Sequence, residues 1–257
     1  MLNQTSDIKK IFLWGPPVTK LAAAFLFAAC SLTGAAPSGK FEPQQLREDF
    51  QIARRCLEEA HPGLYRQTKK VELDRVFDDA ENSLNRPMDF YEFYRVVAPA
   101  VAAIKCGHTG IDLSPGVRKA TELLPWLPFS VKVLQSKPYI LRDYAKEGTL
   151  AGREIQSING VPAAQIVSTM LASSMKDGDV QTTRQRDISG SFGLNLIVLL
   201  GLRGPYDVAL AASGTNIAEA VHVAGLAHND LVQKSKALYP QDQGPKQFAQ
   251  LEFLDNG

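Results

Sequence analysis

The sequence is short of cysteine, with three in 257 residues, and of histidine, with four. So few cysteines cannot make a disulfide scaffold. No Cys-x-x-Cys pair and no His-Glu-x-x-His string occurs, so the usual zinc spacings are missing and no metal site is predicted. Neither common glycine-rich phosphate loop is present, and no cofactor is expected. Charge of one sign is lacking too. The 28 Lys and Arg against 27 Asp and Glu leave a net charge of +1, which gives no global field and no reason to expect nucleic acid as a partner. Arg54-Arg55 and Lys69-Lys70 are isolated basic pairs, read as solvated helix faces. No apolar run reaches the ~20 residues that a membrane-spanning helix needs. What is present is ordinary for a folded soluble chain, at 45% hydrophobic and 21% charged residues. The length suits one large domain or two small ones.

The N-terminus stands apart. Lys9, Lys10 and Lys20 precede the apolar run Leu21 to Ala29, and Thr33-Gly34-Ala35-Ala36 follows it. Basic, apolar and small residues in that order predict a signal peptide over residues 1–36 and an exported, periplasmic or envelope-associated protein. Leu26-Phe27-Ala28-Ala29-Cys30 is close to a bacterial lipobox, with Phe27 where leucine is usual, so Cys30 is a lipidation and membrane-anchoring candidate. Cleavage after Ala35 or Ala36 is the alternative. Cys56 and Cys106 then remain, either bridged in an oxidising compartment or as free thiols.

Residues 37–43 read as a linker. From Gln44 an apolar face recurs at helical spacing through Leu46, Phe50, Ala53, Leu57 and Ala60, and Pro62 ends that helix near His61. A second amphipathic helix covers Val71 to Leu84, and Asp89 caps a third that carries Phe93, Val97 and Val101. Residues 44–120 are therefore expected to form a helical domain. The character changes near Leu123. Phe129 to Leu134 alternates like a strand, with Tyr139 to Leu141 as its partner. Ile155 to Ile158 is a short strand closed by Asn159-Gly160, and Pro162 opens a helix over Ala163 to Leu171. Asp177-Gly178 marks a turn. Phe192 to Leu202 reads as a buried helix. Tyr206 to Leu210 and Ala218 to Val223 read as closing strands. Residues 227–246 look polar and irregular, and Leu251 to Leu254 looks like a new strand. The fold class is α+β.

There are four histidines, His61, His108, His222 and His228, and none has the i, i+4 spacing with glutamate that marks a zinc peptidase. Gly190-Ser191-Phe192-Gly193 has the wrong spacing for a nucleophile elbow, which makes Ser191 a turn or cap residue. A stronger signal is G-R-E-I-Q-S-I-N-G, Gly152 to Gly160, which resembles the G-D-x-I-x-x-I-N-G segment of PDZ domains. Upstream, L-E-E-A-H-P-G-L-Y at Leu57 to Tyr65 and I-K-C-G-H-T at Ile104 to Thr109 resemble two segments of extracytoplasmic tail-specific (C-terminal-processing) serine peptidases. The resemblance runs from about Phe41 to Gly257.

The resemblance implies a helical N-terminal unit, a PDZ-like domain over residues 121–230, and a linker with the start of an α/β peptidase core over 231–257. That core would be truncated before its serine, lysine and glycine-rich oxyanion segment. Family members attack a peptide carbonyl with a serine whose proton goes to a lysine or, in some branches, a histidine. His108 matches that histidine and is the candidate base. Without a nucleophile and oxyanion donors the chain alone is expected to be inactive. The implied partners are unstructured or C-terminal peptide segments of exported proteins. Such a peptide would lie in a groove walled by the strand around Val131 and the helix carrying Ile166 and Val167. Leu127-Pro128-Phe129 lacks the glycines of a carboxylate-binding loop. A stand-alone exported peptide-binding module is the alternative function, and an envelope lipoprotein a third.

Overall fold

The structure, a computed structural model, describes residues 39–146, 148–212 and 218–240. The expected signal peptide, Cys30 and the strand at Leu251 to Leu254 lie outside the described residues. Helix and sheet are mixed, and among the described residues two large hydrophobic cores are accompanied by a small cluster of Leu113, Val117 and Val198.

The first core belongs to three helices: α1 (Pro43–Ala60), α2 (Lys70–Ser83) and α3 (Phe90–Ala102). Each lays down the apolar face that its spacing dictates, so Leu46, Phe50 and Leu57 of α1, Leu73 and Phe77 of α2, and Val97 and Val101 of α3 are buried together. Phe50 and Phe77 meet edge to face, with ring centroids 6.2 Å apart. The start of α3 is fixed by a reciprocal capping box. Asp89 Oδ1 accepts from Glu92 N at 2.8 Å, and Glu92 Oε2 accepts from Asp89 N at 2.9 Å. A short α4 (Pro115–Glu122) follows, capped by Ser114.

The second core is the sheet unit. Strands β1 (Phe129–Leu134) and β2 (Lys137–Asp143) form an antiparallel hairpin, and Gln135 and Ser136 both take positive φ at its turn. Strands β3 (Ile155–Ile158), β4 (Val161–Pro162), β5 (Tyr206–Leu210) and β6 (Glu219–Val223) form a second sheet in the order β4-β3-β5-β6. A backbone bridge between Tyr139 and Glu154 joins the two sheets. Asp143 is buried at the end of β2, where its carboxylate accepts from the backbone N–H groups of Ala145, Lys146 and Leu150 and shapes the loop that leads to β3. Helices α5 (Ala163–Ala172), α6 (Gln181–Gly190) and α7 (Phe192–Leu200) all fall between β4 and β5. Ile166, Met170, Ile188 and Leu196 enter the same core as Ile155, Ile158 and Val208.

The two units are tied through α3 and α7. Arg95 Nε donates to Val198 O at 2.9 Å, satisfying a carbonyl in the last turn of α7. Gly201 ends that helix at φ 71°, and a Cβ there would meet Arg95 Nη2 at 2.9 Å. Burial of Arg95 depresses its pKa.

Two elements differ from the sequence expectation. Residues His228–Leu238 form a helix, α8, where an irregular segment was expected. None of its residues is buried, so it leaves no clear apolar stripe to read. Helix α6 was not anticipated either, since its only buried residue is Ile188.

Candidate functional site

The site grows from the loop after α3. Pro99 lies inside that helix, and the chain leaves it through Ala103 into buried Ile104. Lys105 then takes φ 56°, a conformation uncommon for a residue with a side chain. This reverses the backbone so that Cys106 packs half-buried against the helical core while His108 projects outward. Thr109 turns back in and is buried.

Thr109 is held by the end of α1. His61 caps that helix, its ring Nδ1 accepting from Gly63 N at 3.1 Å. The proton therefore sits on Nε2, which donates to Thr109 Oγ1 at 2.9 Å. The two segments singled out in the sequence, around His61 and around His108, are in direct contact.

A second loop completes the site. It joins α5 to α6, and it is clamped to the first loop at three points. Gly178 N donates to Lys105 O at 3.0 Å. Lys105 Nζ pairs with Asp179 at 2.8 Å, which holds the Asp179 carboxyl below its usual pKa. Gly107 N donates to Asp177 Oδ1 at 2.8 Å. Gly107 is required there, because a Cβ would stand 2.9 Å from Asp177 Oδ2. The same loop is braced on its far side by Lys176 to Asp187 at 2.9 Å and by Ser174 Oγ to Asp187 at 3.2 Å. Ile111 N points at Met175 Sδ, 3.3 Å away.

Cys106, His108 and Asp177 thus come together, each offering one polar side-chain atom within 4.8 Å of the other two. His108 and Asp177 are exposed, and Cys106 is partly so. The His108 ring has no hydrogen-bond partner among the described residues. A carboxylate beside an exposed imidazole can orient the ring and stabilise its protonated form. The sequence marks His108 but not Asp177. Gly107 and Asp177 are 70 positions apart, and the only signal at Asp177 was an Asp-Gly turn.

The other expected site residues lie elsewhere. Val131 is 2% exposed, Ile166 0% and Val167 1%. All three are packed into the core of the sheet unit and line no open groove. The helix running beside β1 is α6, whereas α5 packs on β2, β3 and β4. The outer edge of β1 is engaged there, with Val133 N donating to Ser189 Oγ at 2.9 Å. Ser191 stands between α6 and α7, donating to Asp187 O and accepting from Asn195 Nδ2, as a junction residue would. His222 pairs with Asp207 at 2.7 Å on the exposed face of β5 and β6, and the His228 ring lies 4.9 Å from Trp126. Cys56 and Cys106 are both free thiols. Among the described residues no helix is long and apolar enough to cross a membrane.

No protein-family model matches the chain, and no curated protein matches it. Among solved structures the chain is similar to the crystal structure of a CPAF mutant, at 13% identity and a TM-score of 0.48. The match covers 71% of this chain and 34% of that one, so the chain spans about a third of its length. The likeness is distant.

Proposed function

We propose that this chain is the base-bearing, peptide-handling part of an exported serine peptidase of the tail-specific kind. The observation in support is that clamped loops bring Asp177 to within 4.8 Å of His108 and leave the imidazole open to solvent. In this reading His108 accepts the proton of an attacking serine hydroxyl and later gives it to the leaving amine. Asp177, with one oxygen held by Gly107 N and its carboxylate within 4.8 Å of the ring, offsets the charge of the imidazolium. The PDZ-like assignment of residues 121–230 belongs to the same proposal, as do unstructured segments of exported proteins as substrates. In this reading the serine and the oxyanion donors are supplied by residues outside the described ones.

The gene sequence after Gly257 is the first test. A frame continuing into a glycine-rich strand and then a serine supports the reading. In that longer protein, His108→Ala should lower kcat/KM on an unstructured polypeptide by at least about a hundredfold. Asp177→Asn should lower kcat with little change in KM. Activity indifferent to His108→Ala would end the reading. Export is tested by mass spectrometry of the mature protein, where a cytosolic product with intact Met1 would refute it.

A second reading, a peptide-binding module, is favoured by the two-stranded sheet. Among the described residues only β2 pairs with β1, and helix α6 packs along the outer edge of β1, where Val133 N donates to Ser189 Oγ. A peptide strand could take that edge if α6 moved away.

A further inference from the structure

The geometry points to a zinc-class metal site formed by Cys106 Sγ, a ring nitrogen of His108 and a carboxylate oxygen of Asp177. The three ligand atoms lie within 4.8 Å of one another. Tetrahedral zinc, with bonds of about 2.3 Å to sulfur and about 2.0–2.2 Å to nitrogen and oxygen, sets ligand atoms about 3.4–3.6 Å apart. Closing the trio around an ion therefore takes movements of about 1 Å, which exposed side chains make by small torsions.

The donor chemistry selects the ion. A thiolate is a soft ligand and disfavours magnesium and calcium, which want oxygen cages. Sulfur, imidazole and carboxylate together suit zinc and cobalt. The support around the ligands is of the kind metal sites use. Gly107 N holds Asp177 Oδ1 at 2.8 Å, fixing the carboxylate on the ligand side of the loop. The Gly178–Lys105 backbone bond and the Lys105–Asp179 pair hold the two loops in register. Cys106 is anchored against the helical core, which fixes one corner of the site. Three protein ligands with two of them solvent-facing leave a fourth position for water or for a donor from a bound molecule.

The site does not depend on the peptidase reading. If both hold, a bound ion occupies a His108 nitrogen needed for proton transfer, and metal would act as an inhibitor.

The test is cobalt and zinc binding by the full chain in a Cys30→Ser, Cys56→Ser background, so that no other thiol competes. One equivalent of Co²⁺ should give sulfur-to-cobalt charge transfer and the strong visible bands of a tetrahedral ion, and Zn²⁺ should displace it. Cys106→Ser should abolish the charge-transfer band. His108→Ala and Asp177→Asn, both at exposed positions, should each weaken zinc binding at least about tenfold. Circular dichroism and thermal melts of each metal-free variant confirm folding. The proposal is overturned if no stoichiometric binding occurs at micromolar metal. It is also overturned if only Cys106→Ser has an effect, because that is the behaviour of an isolated thiol. Metal readouts and peptide turnover are independent, so failure of one reading is distinguishable from failure of the other.

Discussion

His61 Nε2 donates to Thr109 Oγ1 at 2.9 Å across 48 positions of sequence, and this bond joins the end of α1 to the loop that presents His108. Because Thr109 is buried at 4% exposure, the bond fixes the inner side of the loop while His108 stays outside. Thr109→Val keeps the shape but leaves the His61 N–H without its acceptor. We expect a loss of about 1 kcal/mol in denaturant unfolding. Faster amide exchange at Gly107 to Ile111 should accompany it. Unchanged exchange there would show that the clamp with Asp177 holds the loop alone.

Ile166 gives a direct test of core against groove. Its side chain is fully buried among Ile155, Ile158 and Met170. Ile166→Ala should cost about 2–5 kcal/mol in unfolding free energy, the range for a core truncation. A cost near zero, as for a solvent-open groove wall, would contradict the packing.

The edge of β1 controls any strand addition. Ser189 Oγ accepts from Val133 N and donates to Gln185 O at 2.6 Å, which fastens α6 along the edge. Calorimetry with apolar peptides should give weak, millimolar binding. It should depend on apolar C-terminal side chains more than on a free carboxylate, since amidated and free-acid forms should bind alike. Ser189→Ala removes the fastening and should tighten the apparent affinity by a few fold, because more of the chain is then competent. Equal affinity for Ser189→Ala and the parent would mean that peptides bind elsewhere. Loss of binding on amidation would reveal a carboxylate loop that Leu127-Pro128-Phe129 does not suggest.

Alkaline stability should report on two tyrosines. Burial pushes the Tyr94 phenol up to about 12, with Asp112 adding to the effect, and burial also raises Tyr206, whose hydroxyl donates to Pro125 O at 2.8 Å. A folded pKa above the unfolded value of 10 means that the unfolded chain loses its proton first. The contribution is fully present below pH 10 and is lost as pH rises from 10 to 12, by up to about 1.4 kcal/mol per pH unit for each group. Tyr94→Phe should flatten that slope in urea titrations between pH 9.5 and 11.5. An identical slope in the variant would place its phenol in solvent.

The sequence by itself determined the local elements. Apolar spacing set α1, α2 and α3 to within a residue or two, Pro62 and Asp89 set their limits, and period-two alternation set β1. Asn159-Gly160, both at positive φ, closed β3 as the dipeptide demands. These features rest on backbone preference and on one-sided burial, which neighbours in sequence express. Only the tertiary structure decided what meets what. It turned Ile166 and Val167 inward, since a helix covered by sheet on one side and by α6 and α7 on the other leaves them no solvent face. It laid α6 along β1, through a polar helix with one buried residue and hence almost no periodic signal. And it carried Asp177 from a turn between α5 and α6 to the side of His108, because Gly107 lacks the Cβ that would have kept the two loops apart.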